Sequence, residues 1–158
     1  MRIGQGVDVH AFDVEGSATR IRLAGIDVPH TRALIAHSDG DVATHALMDA
    51  LLGAAALGDI GQHFSDRDPQ YAGADSLVLL AKVVSMVFDA GFTVSNVDLT
   101  VIAEQPKLAK YTLAMREVLA QALDIHMNQV NVKATTTEKL GFVGREEGVA
   151  AMAVVMLQ

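Results

Sequence analysis

Nine consecutive apolar residues, Val149 to Leu157, constrain this chain more than any other stretch. A helix crossing a bilayer needs about 20 such residues, so the run is too short to span a membrane. Its continuity is the pattern of a strand covered on both faces inside an α/β sheet. Three further segments read as strands that can pair with it. Arg2 to Phe12 sets Ile3, Val7 and Val9 against Gly4, Asp8 and His10, Asn96 to Glu104 sets Val97, Leu99 and Val101 against Asp98 and Thr100, and Val130 to Ala134 completes the set. A small hairpin is expected in Thr19 to Val28, turning at Ala24-Gly25.

Helices are expected between the strands. Ser38, Asp39, Gly40 and Asp41 precede Val42, Ala46, Leu47, Ala50, Leu51 and Ala54, which places a helix over Asp41 to Leu57 with Asp41 as N-cap. Asp75 caps a second helix ending before Gly91, with Leu77, Leu80, Ala81, Val84 and Phe88 on one face and Val78, Leu79, Val83 and Met86 opposite. That helix is nearly apolar all round, which fits either burial by neighbouring elements or a subunit contact. Pro106 opens a third helix running to Leu123. Asp59 to Gly73 has no apolar period and reads as a long loop, and Thr135 to Phe142 as a hydroxyl-rich turn into a short helix. The fold class is therefore α/β (α+β): one compact domain over residues 1–158, a four-stranded sheet with helices packed on one face, plus a small hairpin.

Composition narrows the function. Hydrophobic residues make up 51% of the chain but aromatics only 4%, so small and aliphatic side chains supply a surplus of apolar surface whose natural outlet is an oligomer. A net charge of -7 with 12 scattered Lys and Arg argues against nucleic acid. An acidic protein that binds an anion needs metal ions and backbone donors. The absence of cysteine excludes disulfides, thiolate ligands and a Cys nucleophile. Arg2 and Asp8 interrupt any signal peptide, so a soluble cytoplasmic protein with no membrane partner is expected.

Two segments point to a metal. On a strand Asp8 and His10 share a face, roughly 6.5 to 7 Å apart at Cα. His45 sits one turn into the helix capped by Asp41, and Asp49 one turn further on the same face, where it could orient His45. Two histidines and one carboxylate suit zinc or a similar transition metal with an open fourth position, the catalytic arrangement. His37 is a candidate beside them. The alternative is that these residues are caps or satisfied core groups. Other mechanisms lack their signatures: Asp59 stands where a P-loop would need Lys, Gly4-Gln5-Gly6 lacks a third glycine, and no Gly-x-Ser-x-Gly elbow occurs.

Several segments in fixed order carry a resemblance: Gly6-Val7-Asp8-Val9-His10, His37-Ser38-Asp39-Gly40-Asp41, His45-Ala46-Leu47, Ala55-Ala56-Leu57-Gly58-Asp59-Ile60-Gly61, Asn131 through Phe142 and Gly144-Arg145. Through them the chain closely resembles the 2-C-methyl-D-erythritol 2,4-cyclodiphosphate synthase family of the non-mevalonate isoprenoid pathway. The resemblance implies a homotrimer with active sites between subunits. It also implies a cytidine diphosphate substrate, Zn2+ on Asp8, His10 and His45, and Mg2+ or Mn2+ on Glu138 and the substrate diphosphate. His37 and Thr136 match catalytic, transition-state-stabilising positions. Substrate contacts would come from Asp8, Val9, His10, His37, Ser38, Thr135, Thr136, Thr137 and Glu138. Asp59, Ile60 and Gly61 match the segment near the ribose; Phe64, Ser65, Asp66, Arg67 and Asp68 match a loop over the erythritol end; Ala103, Glu104, Gln105, Pro106, Lys107, Leu108 and Ala109 match the cytidine pocket. Phe142, Arg145 and Glu147 match residues near the trimer axis, where some members carry an isoprenoid diphosphate. Gln5, His63, Ser65 and Leu108 depart from common family residues, and none is a proposed metal ligand.

Overall fold

A computed structural model of the chain describes residues 1–65 and 68–158. Four strands form the main sheet in the order β1 (Arg2–Ala11), β6 (Gly148–Leu157), β4 (Val94–Ile102) and β5 (Val130–Thr135). The first three pair antiparallel, while β4 and β5 run parallel and are joined through α4 (Thr112–Leu123). A separate hairpin pairs β2 (Arg20–Leu23) with β3 (Ile26–Pro29). The remaining helices are α1 (Val42–Ala55), α2 (Ile60–His63), α3 (Ser76–Asp89) and α5 (Gly141–Gly144). No helix among the described residues is long and apolar enough to cross a membrane.

The core lies between the sheet and α1, which is buried along nearly its whole length. Small residues let the two meet closely. A Cβ added at Gly4 would stand 1.9 Å from the Ala50 carbonyl oxygen, and one at Gly6 only 2.0 Å from that of Ala46. No side chain fits there, so the β1 backbone lies directly on the alanine stripe of α1. Asp8 and His10 continue the glycine face, and they are thereby aimed at α1.

The apolar run of β6 is covered on one face only, which corrects the expectation of two covered faces. Its Ala151, Ala153 and Val155 are buried, whereas Met152 and Val154 are exposed beside Ile3, Val7 and Val9 of β1. α1 packs on the other side, and Met152 and Val154 of the outer face stay in the open. β1 and β5 start where the sequence places them, β4 starts two residues early at Val94 and β6 one early at Gly148, while the hairpin and the Asp41 and Asp75 caps agree.

Three other elements differ from expectation. Asp59 to Gly73 contains α2 and a 3₁₀ turn at Pro69–Tyr71, because Asp59 and Asp68 each cap a backbone N–H two or three residues on. Pro106 starts no helix: α4 begins at Thr112, and residues 103–111 form a loop anchored by buried Ala103 and Leu108. In α3 the buried line draws Leu80 from one expected face and Leu79 and Val83 from the other, together with Val87, while Val78 and Phe88 are exposed.

Candidate functional site

The position of His45 follows from one buried carboxylate. Asp41 is wholly buried and accepts from the backbone N–H groups of Ala24 (2.7 Å), Gly25 (2.6 Å) and Thr44 (3.0 Å) and from the Thr44 hydroxyl (2.7 Å). Ala24 and Gly25 both have positive φ, and their tight turn aims two donors at the start of α1. The hairpin and the helix are thus pinned at one point, one turn before His45.

Three donor atoms converge there. His10 Nε2 lies 2.9 Å from Asp8 Oδ2, His45 Nδ1 lies 3.0 Å from the same oxygen, and the two ring nitrogens are 3.2 Å apart. A tetrahedral ion bonded at about 2.0 to 2.2 Å spaces its ligand atoms roughly 3.3 to 3.6 Å apart, so the triangle is slightly tighter than such an ion takes and needs to open by only a few tenths of an ångström. His10 Nδ1 stands 2.9 Å from the Ile35 carbonyl oxygen, which can only accept; Nδ1 carries the proton and Nε2 offers its lone pair to the triangle. Among the described residues this is the one three-residue cluster suited to a metal.

The electrostatics fit a cation. Burial pushes the Asp8 carboxyl up, but hydrogen bonds and charge from His10 and His45 outweigh it and hold Asp8 well below the usual carboxylate range. Burial pushes His10 down, and its bond to Asp8 more than compensates. The carboxylate draws positive charge to this point, as protons or as an ion that displaces them.

A cavity of about 170 Å³ opens on the triangle, lined also by His37, Ser38, Met48, Ile60, Gly61, Phe64, Tyr71 and Leu79. His37 is exposed on its wall, and Ser38 Oγ lies 3.1 Å from His45 Nε2. The Val9 side chain points to the opposite face of the sheet, so only its backbone faces this region. Asp59 is spent on its own helix, binding the Gln62 backbone at 3.0 Å and side chain at 2.7 Å. Ser65 and Asp68 do not line the cavity, and Asp66 and Arg67 lie outside the described residues. Asp49 does not orient His45: its Oδ1 accepts the Ile60 N–H at 2.8 Å and anchors α2. The groups at His45 Nε2 are Ser38 and Ser76 instead. Sequence reasoning gave Ser76 no role, and its only signal was a hydroxyl at the start of an apolar helix.

A second cavity, of about 460 Å³, lies against β5 and is lined by Ala103, Pro106, Lys107, Leu108, Ala109, Thr112, Thr135 and Thr136, among others. Its size suits a ligand as large as a nucleotide. Glu104 brackets the rim: its Oε1 accepts the N–H groups of Thr137 and Lys139, each at 3.1 Å. Those bonds, the Lys139 one foremost, hold the Glu104 carboxyl below its usual range. Gln105 belongs to the same loop without lining the cavity. Thr136 donates to Glu138 Oε1 at 3.0 Å, and Glu138 is exposed with positive φ. Phe142 and Arg145 lie apart from both cavities, with Arg145 paired to Glu147 at 2.8 and 3.1 Å. A further cleft near the hairpin contains Arg20 and Arg22, but both already pair with Asp27.

The two cavities sit at the same end of the sheet on opposite edges. The register runs Asp8 to Ala151, Ala151 to Val101 and Val101 to Ala134, three strand spacings or about 14 Å. One chain therefore brings Asp8, His10 and His45 together, and separately Thr136 and Glu138, but not the two groups to each other.

A family model described as the YgbB family matches residues 1–158. The 2-C-methyl-D-erythritol 2,4-cyclodiphosphate synthase of Alcanivorax borkumensis is 61% identical over 158 residues, covering 100% of this chain and 97% of that protein. Among solved structures, the bifunctional IspDF from Campylobacter jejuni superposes with a TM-score of 0.93 at 46% identity over 99% of this chain, which spans 42% of that longer chain. A CDP complex of IspF from Plasmodium falciparum gives a TM-score of 0.85 at 30% identity, covering 99% of this chain and 94% of that one.

Proposed function

The chain belongs to the YgbB family, and from that membership we infer that it is a cyclising, CMP-releasing lyase of isoprenoid precursor biosynthesis. It converts 4-diphosphocytidyl-2-C-methyl-D-erythritol 2-phosphate to 2-C-methyl-D-erythritol 2,4-cyclodiphosphate and CMP. The observation that best supports this chemistry is the convergence of Asp8 Oδ2, His10 Nε2 and His45 Nδ1 on a small cavity walled by His37 and Ser38.

An oxygen of the substrate's own 2-phosphate attacks the β-phosphorus, and CMP leaves. That nucleophile is an anion at neutral pH, so no side chain need activate it. Bringing one phosphate to another against their repulsion is the harder problem. Zn2+ on Asp8, His10 and His45, with Mg2+ or Mn2+ on Glu138, would neutralise those oxygens and orient them. The cavity walls hold the substrate folded, and effective molarities of about 10⁵ to 10⁸ M make such positioning worth roughly 7 to 11 kcal/mol of barrier. The cavity at His45 is too small for the whole substrate and fits its phosphate end, while the cavity at Lys107 fits the cytidine. His37 and Thr136 then donate to oxygens whose charge grows in the transfer, Thr136 by turning its proton from Glu138.

The same reading includes the assembly. About 14 Å separates the two half-sites on one chain, so a shared site needs the β5 edge of one subunit beside the β1 edge of another, as a homotrimer provides. The exposed apolar face of β1 and β6 is surface such an assembly would cover. Phe142, Arg145 and Glu147 would then approach the axis and could take an isoprenoid diphosphate. A cytoplasmic location accompanies this reading.

Incubating purified protein with the diphosphocytidyl substrate and Mg2+, and following products by phosphorus NMR and mass spectrometry, tests the reaction. CMP and the cyclic diphosphate are expected in equal amounts. No turnover by metal-replete protein would refute the enzyme, and CMP with an open-chain 2,4-bisphosphate would make it a hydrolase.

A further inference from the structure

His45 is held from behind by a chain of hydrogen bonds. Its Nε2 lies 2.9 Å from Ser76 Oγ, and the Ser76 hydroxyl donates to Asp39 Oδ1. Asp39 Oδ2 also accepts the Ser76 backbone N–H at 3.0 Å, and Asp39 Oδ1 the Asp41 backbone N–H at 3.2 Å. Ser76 is wholly buried and opens the fourteen-residue helix α3, so the carboxylate sits at the positive end of the helix dipole.

Proton counting fixes the direction of this chain. A hydroxyl has one proton, and the Ser76 proton is committed to a carboxylate, which only accepts. The lone pair of Ser76 is what faces the ring, and Nε2 must carry the ring proton. Nδ1 is then the nitrogen with a lone pair, and it is the atom that meets Asp8 Oδ2 and His10 Nε2. Ser38 Oγ, at 3.1 Å, can accept from the same Nε2–H, which leaves the Ser38 proton to turn into the cavity.

We propose that Asp39 and Ser76 are positioning residues, a carboxylate–hydroxyl relay that locks His45 as its Nε2–H tautomer and so presents Nδ1 to the metal. The proposal rests on the metal reading above. It gives His45 the kind of outer support that His10 receives from the Ile35 carbonyl, built from side chains of a different element.

Zinc affinity by chelator competition and the imidazole ¹H–¹⁵N spectrum of zinc-loaded, ¹⁵N-histidine-labelled protein test the relay. In the wild type the His45 Nε2–H gives a slowly exchanging resonance. In Ser76→Ala that resonance broadens or is lost, and zinc affinity falls at least fivefold, against the roughly 10- to 100-fold loss typical of such partners. Asp39→Asn, which keeps an acceptor for the hydroxyl but not the charge, loses less than Ser76→Ala. A folded Ser76→Ala that binds zinc within fivefold of wild type would overturn the relay, as would a wild-type spectrum in which Nδ1 of His45 carries the proton. Should Ser76→Ala fail to fold, the wild-type spectrum and Asp39→Asn decide alone, and an Asp39→Asn resonance and affinity identical to wild type would overturn it. Wild-type protein that takes up no zinc would overturn the metal reading and the relay together.

Discussion

Gly6→Ala probes the contact on which the metal triangle depends. The added Cβ would lie 2.0 Å from the Ala46 carbonyl oxygen and 2.7 Å from the Ala50 backbone nitrogen. Both are helix backbone and cannot swing aside. An ordinary C···O contact is about 3.4 Å, so α1 must withdraw from β1 by roughly 1.4 Å, or β1 must bow outward by as much. Overpacking of this kind costs about 1 to 3 kcal/mol and sometimes more. In a chain of this length each kcal/mol moves the melting temperature by about 2 to 4 °C, so a fall of roughly 2 to 12 °C is expected at fixed protomer concentration. The withdrawal also carries His45 Nδ1 away from Asp8 Oδ2, now 3.0 Å apart. Metal ligands tolerate about 0.2 Å, so zinc affinity should drop by on the order of 100-fold or more. Gly53→Ala is the control. Gly53 lies in the same helix, where an added Cβ would meet nothing nearer than the Gln5 carbonyl oxygen at 4.0 Å, and helix propensity alone should stabilise by up to about 1 kcal/mol. Thermal melts and chelator competition on both variants decide the matter. A Gly6→Ala protein that melts within 2 °C of wild type, within the error set by this conversion, and keeps its zinc affinity would refute the argument.

His45→Ala should lose bound zinc while its far-UV spectrum stays native; unchanged metal content by atomic absorption would disprove the ligand assignment. Asp41→Ala should cost roughly 3 to 5 kcal/mol in urea unfolding, because it strands the buried N–H groups of Ala24, Gly25 and Thr44. A cost under about 1 kcal/mol would mean that water reaches those donors. Asp49→Asn keeps the acceptor for Ile60 N–H while removing a carboxylate whose pKa burial pushes up. A raised carboxyl costs stability above its folded pKa, so this variant should be no less stable at pH 7 and bind zinc normally; a tenfold loss of affinity would restore Asp49 as a support for His45. Asp98, by contrast, is held low by Lys133 and Asn131, and its contribution is present above the unfolded carboxyl value and lost as pH falls through the folded one. As an exposed pair it is worth at most about 1 kcal/mol, so Asp98→Asn should differ slightly from wild type at pH 7 and not at all near pH 2.

The candidate metal ligands are legible because each lies on a regular element whose period fixes its face. Asp8 and His10 are two apart on a strand, and His45 is one turn beyond an N-cap that the sequence marks plainly. The supports around them are not. Asp49 has the right spacing to reach His45 along one face of α1, yet it faces the Ile60 N–H, a group 11 residues away that exists as a partner only once the segment after Gly58 has turned into α2. Ser76 reaches His45 across 31 residues through the packing of α3 on α1, and no local period carries that contact. Pro106 misled for a related reason: a proline opens a helix only where the following residues are free to coil, and here buried Ala103 and Leu108 anchor the loop.

The same distinction explains why β6 departs from the expectation of two covered faces. Nine apolar residues imply two buried faces only if both coverings belong to the chain itself. Here α1 covers one face, and Met152 and Val154 stand exposed on the other beside Ile3, Val7 and Val9. The sequence thus encodes an apolar face that the isolated chain does not bury, on the same sheet whose opposite edges carry the two cavities. If subunit association covers that face, Met152→Lys should disrupt the assembly and abolish turnover while leaving zinc bound at Asp8, His10 and His45, since those ligands all come from one chain. Sedimentation, turnover and metal content read on one sample would separate the outcomes. A Met152→Lys protein that dissociates yet turns over substrate normally would show that one chain is sufficient, and the shared site would have to be abandoned.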